Sequence, residues 1–183
     1  MRHLLLIGGL VLTVLPAAAF SIALNPNAIV AVGEIYGGAK DYRRARAYYE
    51  LADTNGTAQF HLGEFYAKGW GGPLDLKATQ RCYERAAEAG HTGAQLALGR
   101  MLFSGDLKGI PRDAARARHW YTQAAAGRGA EASQAQLMLG QMAMTGSGGP
   151  RDWVLARQML EKAAESDDQR IREAALYYLN SLH

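Results

Sequence analysis

The sequence predicts an all-α fold, an α/α solenoid of about four helix-turn-helix repeats with a C-terminal capping helix. Three observations support it. Two short patterns alternate along the 183-residue chain, and each occurs four times. Within each pattern, the apolar residues have the spacing of an amphipathic helix. Hydrophobic residues make up 49% of the chain and charged residues 20%, which excludes a disordered composition. One helix pair cannot bury its own apolar face, so stacked pairs are expected to share a continuous core.

The N-terminal segment 1–19 has the pattern of a secretory signal peptide. Arg2 precedes a short apolar run, and the small residues Ala17–Ala19 follow it as a cleavage site. The run is shorter than the roughly 20 apolar residues that a membrane span needs, which favours cleavage over a retained anchor. We therefore expect residues 20–183 to be an exported domain without stable membrane insertion. The expected location is the periplasm, with the extracellular medium as the alternative.

The first pattern of each repeat is an alanine, an apolar residue four positions later, and a glycine directly after it. The spacing places these residues on one stripe of a helix. The four copies run from Ala28 to Gly33, Ala58 to Gly63, Ala94 to Gly99 and Ala135 to Gly140. A further glycine follows each copy, at Gly38, Gly69, Gly105 and Gly146. Glycine suits the end of a helix, where a left-handed residue is often required.

The second pattern begins with an aspartate, which is expected to cap a second helix. The four aspartates are Asp41, Asp75, Asp113 and Asp152. Apolar or aromatic residues follow each aspartate at helical spacing, and a pair of small residues ends the segment. The predicted repeats span about 25–55, 56–91, 92–130 and 131–166, and a final helix within 167–183 seals the last repeat.

One glycine lies in the middle of every first helix, where it costs about 1 kcal/mol relative to alanine. These four helix-crossing positions are Gly33, Gly63, Gly99 and Gly140. Small residues at one position of each second helix, namely Ala45, Thr79, Ala117 and Ala156, are expected to face them. Small residues on both sides would let the two helices cross closely, which would offset the unfavourable helix propensity of glycine.

Two glycine-rich runs, Gly69–Pro73 and Gly146–Pro150, raise the question of a phosphate-binding loop. Such a loop needs a preceding strand and free backbone N–H groups at a helix start. Here a helix is predicted before each run, and a proline ends it. The runs are therefore interpreted as turns.

No catalytic or metal site is predicted. His61, His91 and His119 have no partner at metal-ligand spacing. Cys82, the one cysteine, is expected to be buried and unreactive. No G-x-S-x-G or S-x-x-K motif is present. We expect no cofactor and no enzyme activity, and a cell-wall or β-lactam-acting enzyme is the remote alternative.

The combined pattern, A-x3-L-G-x2-Y-x2-G followed by D-x2-(K/R)-A-x2-W-Y-x-(K/R)-A-A, resembles the Sel1-like repeat, a relative of the tetratricopeptide repeat. Residues 94–127 carry the best copy, including Trp120 and Tyr121. The fourth copy departs from the pattern, with Met159 and Leu160 in place of the aromatics. The resemblance implies an α/α superhelix that binds proteins. Exported bacterial members resemble adaptors for envelope assembly, host-interaction factors and immunity proteins against secreted effectors.

The resemblance also implies that the first helices line the inner, concave face. The residues that vary there between repeats are the candidate partner-binding set. They are His61, Glu64, Lys68, Arg100, Phe103, Met138, Gln141 and Met144. Methionine suits adaptable binding surfaces, and an arginine beside an aromatic ring suits an interface anchor. Packing between repeats is the alternative role for Met138 and Met144.

The expected partner is another protein, either a secreted effector or an envelope component. The formal net charge of +3 comes without a basic block, so nucleic acid is not expected as a partner. Two roles remain open. One is an immunity protein that neutralises an antibacterial effector, and the other is a scaffold or adaptor for a cell-surface complex.

Overall fold

The computed structural model describes residues 25–105 and 109–182, together with residues 6–7 and 10–11. Nine α-helices account for most of these described residues. They are α1 Pro26–Gly38, α2 Tyr42–Leu51, α3 Gly56–Lys68, α4 Leu76–Glu88, α5 Thr92–Ser104, α6 Ala114–Ala125, α7 Ala130–Thr145, α8 Trp153–Ala164 and α9 Gln169–Asn180. Two short strands, β1 Leu6–Ile7 and β2 Leu10–Val11, pair antiparallel. The predicted all-α solenoid is confirmed.

Consecutive helices pack as antiparallel pairs. Gly33 of α1 faces Tyr49 of α2, whereas Gly37, one turn later in α1, lies near Ala45, one turn earlier in α2. Each pair also contacts the next one, since α2 packs on α3, α4 on α5, and α6 on α7. The first helices α5 and α7 contact each other directly, as do α7 and α9. The helices therefore stack as a row of pairs.

Three clusters of buried side chains form the core. The N-terminal cluster includes Ile29, Tyr49 and Leu62, and the largest, central cluster is built around fully buried residues such as Leu98 and Tyr121. The C-terminal cluster includes Leu137, Leu160, Ala163, Ile171 and Ala175. Helix α9 thus closes the apolar side of the last pair, as the capping-helix prediction requires.

The aspartate caps form as predicted. The Asp41, Asp75, Asp113 and Asp152 carboxylates each accept a hydrogen bond from the backbone N–H three residues later. At the ends of the first helices, Gly69 and Gly146 are left-handed, with φ of 68° and 73°. Gly105 also has positive φ, 58°, but its ψ is −168°. Gly38 departs from the prediction, because α1 continues through it and Lys40 takes the positive φ, 61°, instead.

The four helix-crossing glycines face a different group from the expected one. A Cβ atom added at Gly99 would lie 2.7 Å from the ring of Tyr121, and one added at Gly33 would lie 2.6 Å from the ring of Tyr49. Tyr83 covers Gly63 in the same way, and Leu160 covers Gly140 at 2.7 Å. The expectation that Ala45, Thr79, Ala117 and Ala156 would be the facing groups is therefore wrong. A large side chain, four residues further along the second helix, fills the space that each glycine leaves.

The glycine-rich runs are turns, as predicted. Each follows a first helix and lies on the first turn of the second helix in the preceding repeat. None of the helices in the described part of the chain is both long and apolar enough to cross a membrane. The predicted cleavage site at 17–19 lies outside the described residues.

Candidate partner-binding surface

The eight candidate residues lie on α3, α5 and α7 and define a surface that we term the first-helix face. Its α3 part is a row of charged side chains. His61 Nδ1 lies 3.7 Å from Glu64 Oε2, and Lys68 Nζ lies 3.1 Å from Glu64 Oε1. Their spacing of three and four residues puts them on one stripe of the helix. The structure therefore brings together all three candidate residues of the second repeat.

Glu34 of α1 extends this row and was missed by sequence reasoning. Its Oε1 atom lies 3.6 Å from His61 Nε2, so the imidazole lies between two carboxylates. Glu34 follows Gly33 just as Glu64 follows Gly63 and Arg100 follows Gly99. This shared position next to the helix-crossing glycine is the signal that could have identified it.

The row of charged side chains, Glu34, His61, Glu64 and Lys68, packs against a tyrosine ring. The ring of Tyr49 stacks on His61 with ring centroids 5.0 Å apart. Burial, together with the negative charges of Glu34 and Glu64, raises the pKa of Tyr49 to about 12. Burial likewise raises the pKa of Tyr83 above its ordinary range. Both phenols therefore stay neutral at physiological pH.

The carboxyl of Glu64 stays ionised. The nearby imidazole of His61 lowers its pKa most, and the hydrogen bond from Lys68 lowers it further, whereas burial opposes both. Glu64 thus presents a fixed negative charge between a histidine and a lysine. A row of alternating charge can orient an approaching partner by complementary charges.

The α5 part of the face holds Arg100 and Phe103. Arg100 is exposed, and its positive charge acts on the buried hydroxyl of Tyr121. Burial raises the pKa of Tyr121 to about 12, while Arg100 partly opposes that rise. Phe103 is half-buried against the central core, and the Arg112 guanidinium lies 5.4 Å from the centre of its ring. One face of the Phe103 ring is therefore already occupied.

The α7 part of the face is more apolar. Met138 is half-buried against the central core, and Met144 is half-buried against the C-terminal core cluster. Gln141 is also half-buried. Both methionines thus contribute to packing, and a partner role for them stays a prediction. The first-helix face changes from a charged N-terminal half to an apolar C-terminal half.

An aromatic row joins this face to the turn before α5. Phe60 stacks on His91 with ring centroids 4.4 Å apart, and the His61 ring lies 5.7 Å from Phe60 at a tilt of 51°. His91 caps α5, since its Nδ1 accepts a hydrogen bond from the Ala94 N–H at 3.2 Å. Burial lowers the pKa of His91. His91 therefore has a structural role at the start of α5.

The described residues contain no group of three or more His, Cys, Asp or Glu side chains that could hold a metal ion. Cys82 is half-buried, not fully buried as expected. Burial nevertheless raises the pKa of the Cys82 thiol, so it stays protonated at neutral pH.

The Sel1 repeat family matches the chain over residues 26–52, 56–91, 92–127 and 133–168. The chain belongs to the Sel1 repeat family. The resemblance found in the sequence patterns is therefore confirmed. Sel1-repeat proteins act as protein–protein interaction modules, and their fold is typically a non-catalytic scaffold. The first-helix face accordingly belongs to a fold that binds proteins.

Two solved structures have this Sel1 fold. A Sel1 repeat protein from Oxalobacter formigenes superposes with a TM-score of 0.74 at 26% identity, and the match covers 87% of this chain and 45% of that one. A protective antigen from uropathogenic Escherichia coli, described as displaying an SLR fold, superposes with a TM-score of 0.78 at 25% identity. That match covers 90% of this chain and 34% of the antigen.

Curated relatives match over a shorter stretch. The DAP3-binding cell death enhancer 1 proteins of Rattus norvegicus and Mus musculus are 39% and 41% identical to this chain over 71 residues. These residues are 38% of this chain, which spans only 14% of the length of either relative. The likeness is therefore one of repeat sequence, within much longer proteins.

Proposed function

We propose that this Sel1-repeat chain is an exported immunity protein, which binds a secreted antibacterial effector in the periplasm and neutralises it without chemistry of its own. The N-terminal pattern of a short apolar run and a small-residue cleavage site supports export. The binding role rests on the Sel1 fold. The first-helix face is the proposed site of contact.

The observation that carries the proposal is the arrangement of side chains on neighbouring first helices. Exposed Arg100 and half-buried Phe103 lie one turn apart on α5, and Glu34, His61, Glu64 and Lys68 form a charged row on the first helices of the two preceding repeats. Arginine and aromatic residues at the centre of an interface commonly carry most of the binding energy. The surrounding charges raise the association rate and exclude wrongly charged partners. A helix or loop of the effector would lie along this face.

The binding step is tested by substituting Arg100 and Phe103 together with alanine. We expect the double variant to lose effector binding by about tenfold or more, with an unchanged helical circular dichroism signal. Because Phe103 also packs on the core, Arg100→Glu alone serves as a second variant that leaves packing intact. Arg81→Ala, an exposed arginine on α4, is the matched control. Equal binding by Arg100→Glu and the control would contradict a central role for this face.

The immunity role is tested by competition between sister cells. A strain lacking this chain should be inhibited when mixed with wild-type sisters that deliver the effector. The wild-type chain, but not the Arg100→Glu variant, should restore growth in the mixture. If the deleted strain instead loses a cell-surface assembly whether or not sisters are present, the chain is an envelope scaffold and the immunity role is wrong.

A further inference from the structure

The positive charge of the chain is concentrated in the third repeat. Residues 92–130 contain six arginine or lysine residues against two aspartates and no glutamate. In residues 25–55 and 56–91, by contrast, basic and acidic side chains are equal in number, at four each. Residues 131–166 contain three basic and four acidic side chains. The third repeat is therefore basic and lies between neighbours that are neutral or slightly acidic.

Two arginines of this repeat are engaged within the fold. Arg116 Nη2 lies 3.0 Å from Glu84 Oε1, and Arg118 Nη1 donates a hydrogen bond to the Pro150 carbonyl oxygen at 3.0 Å. One of the two aspartates, Asp113, caps α6 by accepting a hydrogen bond from the Arg116 N–H. One aspartate of the repeat thus remains for the other four cations.

Two of these remaining cations, Arg100 and Arg112, lie beside the ring of Phe103. Arg100 precedes Phe103 by one turn of α5, so their side chains are neighbours on the helix surface. The Arg112 guanidinium lies 5.4 Å from the centre of the Phe103 ring. Both arginines are exposed, and within residues 25–105 and 109–182 neither forms an ion pair. We term Arg100, Phe103 and Arg112 the third-repeat arginine site.

Contacts with the end of α5 hold Arg112 in place. Its Nε atom donates a hydrogen bond to the Phe103 carbonyl oxygen at 3.1 Å, which leaves its two terminal NH₂ groups available. A Cβ atom added at Gly105 would lie 2.6 Å from the Arg112 Cα, so the backbone packs closely here. The Asp113 N–H also donates a hydrogen bond to the Leu102 carbonyl oxygen at 2.8 Å. A guanidinium that is already positioned loses less entropy when it binds.

The neighbouring first helices restrict which anion fits this site. Glu34 on α1 and Glu64 on α3 occupy the position that Arg100 has on α5, directly after the helix-crossing glycine. An anionic membrane or a nucleic acid presents a continuous array of phosphates, which would meet these carboxylates as well as the arginines. Like charges opposed across an interface disfavour binding. A short acidic segment of a protein can meet the arginines alone.

On the basis of the proposed protein-binding role of the first-helix face, we propose that the third-repeat arginine site binds an acidic segment of the partner protein. In this segment an aspartate or glutamate stands beside an apolar side chain. The carboxylate accepts hydrogen bonds from the guanidinium groups of Arg100 and Arg112, whose planar N–H donors match its geometry. The apolar side chain covers the exposed part of the half-buried Phe103 ring.

The test selects peptides on the immobilised full chain from a library of random dodecapeptides displayed on phage. We expect the enriched peptides to carry aspartate or glutamate next to an apolar residue. In fluorescence anisotropy, a labelled enriched peptide should bind about tenfold more weakly to Arg100→Glu and to Arg112→Gln, with an unchanged circular dichroism signal. Arg81→Ala, which changes an exposed arginine on α4, is the matched control and should bind like the wild type.

An exchange of charges separates direct contact from an indirect effect on the fold. A peptide whose acidic residues are replaced by lysine should lose binding to the wild type and regain it with the Arg100→Glu, Arg112→Glu double variant. Neutral or basic enriched peptides, no enrichment at all, or equal binding by the arginine variants would overturn the proposal. So would sedimentation with phosphatidylglycerol vesicles that is lost in the double variant, because the site would then hold a lipid surface.

The immunity role can fail separately from the acidic partner. If acidic peptides bind through Arg100 and Arg112 but the strain lacking this chain grows normally among wild-type sisters, the partner chemistry stands and the immunity role is wrong. If Arg100→Glu fails to restore growth but the enriched peptides are not acidic, the first-helix face binds the effector through other contacts. The assignment of an acidic segment to this site is then wrong.

Discussion

At the scale of single residues, the packing of Gly99 under Tyr121 shows why each first helix keeps a glycine. The Tyr121 ring is fully buried and lies where a Cβ atom of residue 99 would be. We expect Gly99→Ala to destabilise the fold by about 1–3 kcal/mol, because overpacking outweighs the gain in helix propensity. Thermal melting would measure this as a fall of several degrees.

The control for this substitution is Gly38→Ala. Gly38 ends α1 and has no neighbour within 4 Å of an added Cβ atom. The melting temperature of the Gly38→Ala variant should equal that of the wild type or rise slightly, because alanine is the better helix former. A Gly99→Ala protein as stable as Gly38→Ala would show that the Tyr121 ring moves aside freely.

His91 makes stability depend on pH. Its neutral imidazole caps α5 and stacks on Phe60, and burial lowers its pKa, with the nearby charge of His61 acting in the same direction. Glu64 and Glu131 oppose this shift. The folded chain therefore binds this proton less readily than the unfolded chain. The contribution of neutral His91 to the free energy of unfolding is complete above the pKa of about 6.5 that the histidine has in the unfolded chain. It is lost as the pH falls through the lower pKa of the folded chain.

We expect His91→Asn to flatten the decline of stability below about pH 6.5, since asparagine can cap a helix but does not titrate in this range. Chemical denaturation at a series of pH values would measure it. His119→Asn, which changes an exposed histidine, should keep the wild-type slope. If the free energy of unfolding depends on pH equally in the wild type and in His91→Asn, protonation of His91 does not weaken the cap of α5.

At the scale of helices and turns, stability depends on contacts between one repeat and the next. The hydrogen bond from Arg118 to Pro150 fixes the turn before α8 on the first turn of α6. We expect Arg118→Ala to lower the free energy of unfolding by about 1 kcal/mol. Urea denaturation would measure the loss.

The chain offers a matched control for that change. Arg157 stands at the same position of α8 and is exposed, and no Gly-Gly-Pro turn of the described residues lies on it. Arg157→Ala should therefore leave stability unchanged. If Arg118→Ala and Arg157→Ala lower the free energy of unfolding equally, the arginine stabilises its own helix, and its hydrogen bond to the turn contributes nothing.

At the scale of the whole molecule, each helix pair contacts mainly the next pair. The loss of one pair should therefore destabilise its neighbour most. Helix α9 covers Leu160 and Ala163 through Ile171 and Ala175. Removal of residues 169–183 should speed amide hydrogen exchange in α7 and α8 while leaving α1–α3 protected. An equal rise in exchange along the chain would instead indicate that the solenoid unfolds as one unit.

Most of the fold could be predicted from the sequence, whereas the surface could be predicted only in part. Apolar spacing, the aspartate caps and the glycine turns each depend on residues within a few positions of one another, so they are visible in the chain itself. The ion pairs among His61, Glu64 and Lys68 are local to α3 for the same reason. Glu34 was missed because its contact with His61 joins two different helices.

The number of repeats, the helical class and the aspartates that cap the second helices follow from the amino-acid sequence, because these are local preferences repeated four times. Which side chain covers each helix-crossing glycine depends instead on tertiary packing. The spacing indicated a small partner such as Ala117, yet Tyr121 fills the gap, because the axial offset between antiparallel helices brings the residue one turn further along opposite Gly99.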